Sequence, residues 1–327
     1  MRDIPARIRT NTLPDPAPVP AGLDTRIHVT LPHLRGLEGP ARGLHFLPRQ
    51  PARSVLNGRH TSRLRGRGLN FEELRDYMPA DDVRSIDWKV TARTGKPYVR
   101  VFTEERDRPT LIVVDQRMSM FFGSVLNMKS VTAAECAALA AFAILEQGDR
   151  VGGIVFGDDL RAEIKPARSR AALNRFLSAL ASANQLLRPE APTVPPQSIN
   201  QVLGAVARIA PRNHLVIVLS DFDVIDDQTR KLVSGLSRHN DLILGLVTDP
   251  FADDLPPDAK LVITDGVLQA AVDMSDSQVH RDLSEFAKRR IAEIVDWQRQ
   301  FGISILPLTS AEDSLVQMRR LMGLGRR

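Results

Sequence analysis

The sequence predicts a doubly wound α/β protein with a mostly parallel sheet and an irregular N-terminal extension. Three observations carry that reading. Thr110–Val114 is a run of β-branched and aliphatic residues without period-2 alternation, the pattern of a strand buried on both faces. From residue 110 onward such runs alternate with helical patterns, as in folds whose parallel strands are joined by helices. Three of the runs end in an aspartate, at Asp115, Asp221 and Asp249, and open α/β sheets hold their ligands at the carboxyl ends of their strands.

Residues 1–22 carry five prolines and little apolar content, a composition that cannot bury a core. Within 26–50 the apolar pieces Ile27-His-Val29 and Leu34-Arg-Gly-Leu37 are broken by Gly and Pro, leaving room for at most a short strand and a short helix. Residues 1–45 are therefore expected to be a disordered or weakly ordered Pro/Arg-rich tail. Residues 46–108 are expected to pack on the core as a separate segment. Its stretch 53–68 is basic and glycine-punctuated. Phe71–Tyr77 reads as a helical turn or two, ended by Pro79 and Asp81-Asp82. Val83–Ala92 reads as a second short helix and Lys96–Glu104 as a strand.

The domain proper is expected over 109–327. After the strand at 110–115 comes a helix at 128–147, closed by Gly148. Strands at 150–157 and 160–165 flank the turn Gly157-Asp158-Asp159. A helix at 169–184, a Pro-rich loop at 189–196 and a helix at 199–209, with Ser198 as its cap, come next. Strand 214–220, helix 226–238 and strand 241–248 follow. Val262–Thr264 and Val267–Val272 form a hairpin around Asp265-Gly266. A long helix at 276–301, a strand at 303–308 and a helix at 311–322 complete the chain.

Composition removes several classes of function. The 327 residues are 43% hydrophobic and 25% charged, which is ordinary for a globular protein. There is no run of 18 apolar residues and no apolar segment near the N-terminus, so a cytoplasmic protein without membrane insertion is expected. The single cysteine, Cys136, excludes an internal disulfide framework and a cysteine-based zinc site. Residues 1–70 hold twelve Arg against four acidic residues, whereas the remainder holds 32 basic against 35 acidic ones. Such asymmetry suits a nucleic-acid arm, here the basic stretch 49–67. Few aromatics interleave for base stacking, so solvated arginines are the preferred reading and nucleic acid is not favoured as a partner.

From Gly66 the chain shows Gly66, Gly68, Phe71, Leu74, Arg75, Tyr77, Pro79, Asp81, Asp82, Arg84, Ile86, Asp87, Trp88, Ala92 and Arg93 at fixed spacing. This run resembles the signature of the "domain of unknown function 58" family, in which it leads into a von Willebrand factor A-like core. The resemblance implies a sheet of von Willebrand factor A / Rossmann-like type. It also implies a partner rather than a reaction: a MoxR-type AAA+ ATPase, together with an unidentified client protein whose maturation or assembly the pair would serve. Of the signature residues Arg75, Tyr77, Asp81, Asp82, Arg84, Asp87, Trp88 and Arg93, the four Tyr77, Asp87, Trp88 and Arg93 could form a recognition surface, or a polar and aromatic clamp, the preferred reading because Arg–carboxylate networks mostly serve geometry.

Asp115-Gln-Arg-Met-Ser119 resembles the D-x-S-x-S loop of the metal-ion-dependent adhesion site in von Willebrand factor type A domains. By that resemblance Asp115, Ser119, Ser198 and Asp221 are candidate ligands of Mg²⁺, an ion that takes oxygen donors in near-octahedral array. Arg117 stands at the first serine position of the motif, so the site reads as degenerate. Turned inward, its guanidinium would replace the cation and bridge Asp115 and Asp221; turned outward, it would leave the site one ligand short. An ion-paired edge without metal is the preferred reading. Phe121, Phe122 and Asp223 beside that edge are candidate partner contacts, aromatics being enriched in binding hot spots.

No phosphate-binding G-x-x-x-x-G-K-[ST] loop, G-x-S-x-G elbow or H-E-x-x-H pair is present. The expected function is a non-enzymatic interaction scaffold or co-chaperone. The alternatives are nucleic-acid binding through 49–67 and a metal-dependent phosphoester hydrolase using Asp115 and Asp221.

Overall fold

Strands that are apolar on both faces must be covered on both faces, and this requirement sets the layering. The structure, a computed structural model, describes residues 24–44, 69–78, 83–104, 108–158, 161–189, 196–252, 260–264, 269–273 and 277–324. The chain divides into two units, Arg53–Asp107 and the remainder.

In the larger unit two short helices, α1 (Leu31–Gly36) and α2 (Glu38–Ala41), precede the sheet. The smaller unit contributes β1 (Leu69–Asp76), α3 (Trp88–Thr94) and β2 (Tyr98–Glu104). The larger unit resumes with β3 (Thr110–Asp115), α4 (Lys129–Glu146), β4 (Val151–Phe156), β5 (Arg161–Ala167), α5 (Arg170–Gln185) and α6 (Ile199–Ile209). Then come β6 (Leu215–Ser220), α7 (Asp227–Ser237), β7 (Asp241–Thr248) and the antiparallel pair β8 (Lys260–Thr264) and β9 (Gln269–Asp273). The chain ends with α8 (Ser277–Phe301), β10 (Ser304–Thr309) and α9 (Ser314–Leu321).

Six strands form one sheet in the order β10-β7-β6-β3-β4-β5, parallel except for the β4–β5 hairpin. One face packs against α4 and α5, which α1, α2 and α9 cover in turn; the other packs against α6, α7 and α8, with Trp297 fully buried there. The fold class is the expected doubly wound α/β sheet of Rossmann-like type. Each edge strand contains a proline, Pro166 in β5 and Pro307 in β10, a residue that sheets tolerate at their edges.

Residues 24–44 correct the expectation of a weakly ordered tail. Val29, Leu34, Ala41 and Leu44 are buried in the core, and α1 and α2 lie against α4. The reason lies in α4, an Ala-rich helix with fourteen of its eighteen residues buried. A helix without a polar face needs cover on its outer side as well as from the sheet. The segment is tied down by specific bonds: Val29 N–H donates to Asn184 Oδ1 (2.7 Å), and Gln185 Nε2 donates to the Val29 carbonyl (3.0 Å). Thr30 caps α1 by accepting from His33 N–H (3.2 Å). His33 Nε2 lies 2.6 Å from Glu135 Oε1 on α4, and Ser314 Oγ of α9 donates to Glu135 Oε2 (2.7 Å). The remainder of the expected tail and the basic stretch 49–67 lie outside the described residues.

The smaller unit brings a second correction. Phe71–Tyr77, expected as helix, belongs largely to β1, which pairs antiparallel with β2 through a register shift between Phe71 and Glu73. Glu73-Leu-Arg has local helix preference, but pairing with a distant strand overrides it. The expected helix at Val83–Ala92 is split: Val83–Ser85 is a single 3₁₀ turn, and Ile86 bridges to Val99. Asp87 then caps α3 by accepting from Lys89 and Val90 N–H (3.0 and 3.2 Å).

Two outcomes follow. A Cβ added at Gly153 would fall 2.3 Å from the buried Phe176 ring and 2.7 Å from the Ile112 carbonyl oxygen. Gly153→Ala should therefore cost about 1–3 kcal/mol, read as a lowered melting temperature in calorimetry. Glu135 raises the His33 pKa, so the linkage stabilises the protonated form: its contribution is complete below about 6.5 and is lost as pH rises through the raised value. Urea melts across that window should show wild-type stability falling with pH, and His33→Gln should flatten that component.

Candidate functional site

The order of the strands singles out one place on the sheet. From β3 the chain steps to β4 on one side and later resumes with β6 on the other, so the connections diverge between β3 and β6. In open α/β sheets the carboxyl ends at such a switch point border the ligand crevice. Asp115 is the last residue of β3, and Ser220 is the last of β6, followed by Asp221-Phe222-Asp223.

Phe222 is fully buried with φ of 48°, a left-handed conformation that a bulky side chain seldom adopts. Its N–H donates to Ser220 Oγ (2.9 Å), and Asp223 N–H donates to Asp221 Oδ1 (3.3 Å). The sharp turn sets Asp223 back toward the end of β3, where Arg117 waits. The Arg117 backbone N–H and Nε donate to Asp115 Oδ1 (both 3.0 Å), and Nη2 donates to Asp115 Oδ2 (2.7 Å). Nη2 also donates to Asp223 Oδ1 (2.7 Å) and lies 3.9 Å from Asp221 Oδ1. Nη1 reaches the Gln197 carbonyl (3.4 Å), and the guanidinium carbon stands 5.6 Å from the centre of the Phe156 ring.

Of the sequence-derived candidates, Asp115, Arg117, Asp221 and Asp223 are brought together, with the arginine turned inward. Ser119 and Ser198 bond to none of them. Ser119 sits in the 3₁₀ turn Met118–Met120 with its buried hydroxyl unbonded among the described residues, while Ser198 caps α6 by accepting from Asn200 N–H (3.2 Å). Two contributors were not among the candidates. Lys129, the first residue of α4, donates from Nζ to Asp221 Oδ2 (2.6 Å), and Ser220 Oγ donates to Asp115 Oδ2 (2.6 Å). Ser220 was legible as the residue before a strand-end aspartate; nothing in the spacing marked Lys129.

Burial raises the Asp115 carboxyl above its usual range, Arg117 pulling the other way. Burial acts upward on Asp221 too, but Lys129 and Arg117 outweigh it and hold that carboxyl low. Arg117 is pushed down by burial and up, more strongly, by Asp115 and its other carboxylate neighbours, so it stays charged. The donor set does not fit Mg²⁺: both oxygens of Asp115 already accept from Arg117, and Asp221 Oδ2 accepts from Lys129. Among the described residues no group of three His, Cys, Asp or Glu side chains is placed to hold a metal ion. Asp115 has no solvent exposure from which to act on a substrate.

Around this centre the loops carry apolar side chains. Phe121 stacks on His28 (5.6 Å between ring centres), whereas Phe122, 41% exposed, tilts against Phe251. Val125 and Leu126 in the same loop, and Val224 after β6, are 67%, 39% and 69% exposed. The loop is held by Asp249 at the end of β7, which accepts from Ser124 N–H (2.9 Å), Ser124 Oγ (2.5 Å) and Ser310 Oγ.

In the smaller unit, Arg75 Nη1 donates to the Asp76 carbonyl (3.2 Å) and Tyr77 N–H to the Pro97 carbonyl (2.9 Å). Arg84 lies in the 3₁₀ turn, Asp87 caps α3, and Arg93 is in its last turn. Trp88 is 64% exposed, and Asp81 and Asp82 lie outside the described residues.

A sequence model of the family described as "Protein of unknown function DUF58" matches residues 73–293. An uncharacterized protein of Mycobacterium bovis and two of Mycobacterium tuberculosis are each 28% identical over 292 residues, 89% of this chain and 90% of theirs. The crystal structure of the conserved hypothetical protein BatB from Bacteroides thetaiotaomicron aligns with a TM-score of 0.40 and 13% identity over 65% of this chain and 95% of that one. That likeness is too distant to carry an inference.

Replacing Arg117 by Met should leave Asp115 buried without a counter-charge and cost about 3–5 kcal/mol in urea-unfolding free energy. Ser220→Ala removes one donor from the same carboxylate and should cost about 1–3 kcal/mol.

Proposed function

This chain belongs to the DUF58 family, and from that premise we propose that it is a non-enzymatic, von Willebrand factor A-like interaction scaffold or co-chaperone of the cytoplasm. Its docking surface is the carboxyl edge of the sheet. Its partner is a MoxR-type AAA+ ATPase, with which it serves the maturation or assembly of a client protein. The partner class rests on the family resemblance of residues 66–93.

One observation supports the choice of surface. Phe122, Val125, Leu126 and Val224 remain exposed on loops at the same edge where the charged centre is neutralised from within. Apolar side chains gathered around a polar centre are the composition of an interface core, and aromatics among them make the anchors. Asp249 holds the 121–128 loop in place, so its side chains are ordered before a partner arrives, which lowers the entropy lost on binding. The engagement of Asp115 and Asp221 by Arg117, Ser220 and Lys129 supports a binding role over hydrolysis, because neither of these carboxylates is left free to activate water.

The test is a titration of the purified chain with the MoxR-type ATPase of the same organism, with and without ATP. Phe122→Ala should weaken binding by about tenfold, the scale of one hot-spot residue, while leaving the melting temperature unchanged. Val125→Asp should act in the same direction. Undiminished binding by both variants would move the interface elsewhere, and a large loss of stability in Phe122→Ala would return that ring to the core.

A further inference from the structure

We infer that Arg117 and Lys129 together are a tethered replacement for a divalent cation, so that this edge of the sheet works without Mg²⁺ or Mn²⁺. Three carboxylates, Asp115, Asp221 and Asp223, converge from the ends of β3 and β6. Oxygen groups of other kinds stand beside them: Ser220 Oγ bonds Asp115, and the Gln197 carbonyl faces the guanidinium. Carboxylate, hydroxyl and carbonyl oxygens are the ligand types that hard divalent cations take, although among the described residues no three acidic side chains are placed to close around one. Here the charge of the carboxylates is met by two organic cations that are part of the chain. The pair carries the same charge as one divalent ion against the same three carboxylates.

The distances show which kind of cation the site is built for. Arg117 Nη2 stands 2.7 Å from both Asp115 Oδ2 and Asp223 Oδ1, and Lys129 Nζ stands 2.6 Å from Asp221 Oδ2. These are charge-assisted hydrogen-bond lengths; Mg²⁺ would draw the same oxygens to about 2.0–2.1 Å. The guanidinium also fits by shape. Its Nε and Nη2 meet the two oxygens of Asp115 side by side, while Nη2 continues to Asp223, so one planar group binds carboxylates from both strand ends. Arg117 is 3% exposed, so an ion entering from solvent would have to displace a buried, bonded side chain. Other charged groups border the centre, among them Arg290, whose charge also acts on Asp221. Arg290 Nη1 donates to the Asp223 carbonyl (3.2 Å), and Asp158 Oδ2 accepts from Met118 N–H (2.9 Å).

The replacement reverses what the edge can offer a partner. A bound divalent ion leaves coordination positions that a partner's carboxylate can fill. Arg117 leaves none open to solvent, and the group of this centre that most reaches the surface is the Asp223 side chain, 25% exposed. Recognition at this edge, to the extent that it uses charge, therefore suits a cationic rather than an acidic partner group. This last step rests on the docking role proposed above; the cation replacement does not.

The test uses the full chain with MgCl₂ and MnCl₂ as probes and no partner protein, so its result is independent of the docking proposal. Titration calorimetry of the wild type should give no saturable heat, and neither cation nor EDTA should move its melting temperature. Arg117→Ser, which exchanges the guanidinium for a hydroxyl donor, should bind cation at micromolar to millimolar levels and be stabilised by it. Lys129→Ser, at a less buried position, frees Asp221 Oδ2 and should gain weaker binding, whereas Arg117→Lys should stay silent. Saturable binding by the wild type would overturn the inference. So would silence of both serine variants when folded. Should Arg117→Ser fail to fold, Lys129→Ser decides alone, and its silence overturns the proposal.

Discussion

The ion pair between Asp115 and Arg117 is the contact on which the arrangement at this edge depends. A carboxylate without solvent exposure at the end of the central strand needs a counter-charge and donors for both oxygens. Arg117 and Ser220 supply them, and each also fixes a piece of backbone. Arg117 reaches Asp223 beyond β6 and the carbonyl of Gln197 just before α6, while Ser220 receives the N–H of the strained Phe222. One buried charge thus organises three loops from separate parts of the chain. Replacing a buried pair by well-packed apolar groups is often neutral or stabilising, so its presence here is better explained by the geometry it imposes than by stability.

A second constraint acts at a distance. Because α4 is apolar almost all round, it needs cover from α1 and α2, and residues 24–29 are drawn along with them. That segment reaches the candidate site: His28 stacks on Phe121, and the Arg26 carbonyl accepts from Met128 N–H (2.9 Å) at the entry to α4. Asp249 holds the same loop from the side of β7. The loop that displays Phe122, Val125 and Leu126 is therefore held from both sides. Its exposed side chains are positioned by a rigid frame, as surfaces used for recognition are.

Ionic centre and apolar rim divide the work between them. The buried charges are met by partners within the chain and hold the loops in shape, while the surrounding Phe122, Val125, Leu126 and Val224 stay exposed to water. Asp115 and Arg117 keep neither a free lone pair nor an open coordination position, which supports the reading of this edge proposed above. In the smaller unit Asp87 caps α3, and the adjacent Trp88 is exposed.

Periodicity and punctuation are local properties, and what they govern was legible in the sequence by itself: the apolar strands, the helices between them, the cap Ser198, and the alternation that specifies a doubly wound sheet. The strand-end aspartates at 115, 221 and 249 were legible for the same reason, as was the choice facing Arg117. The tertiary structure alone decided how that choice fell, because a side chain's direction depends on partners more than a hundred residues away. It also decided that 69–76 is a strand, since the pairing energy with β2 is not local, and that 24–44 is part of the core, since only assembly leaves the outer face of α4 needing cover. Lys129 entered the site on the same terms, placed against Asp221 by the packing of its helix rather than by any spacing in the chain.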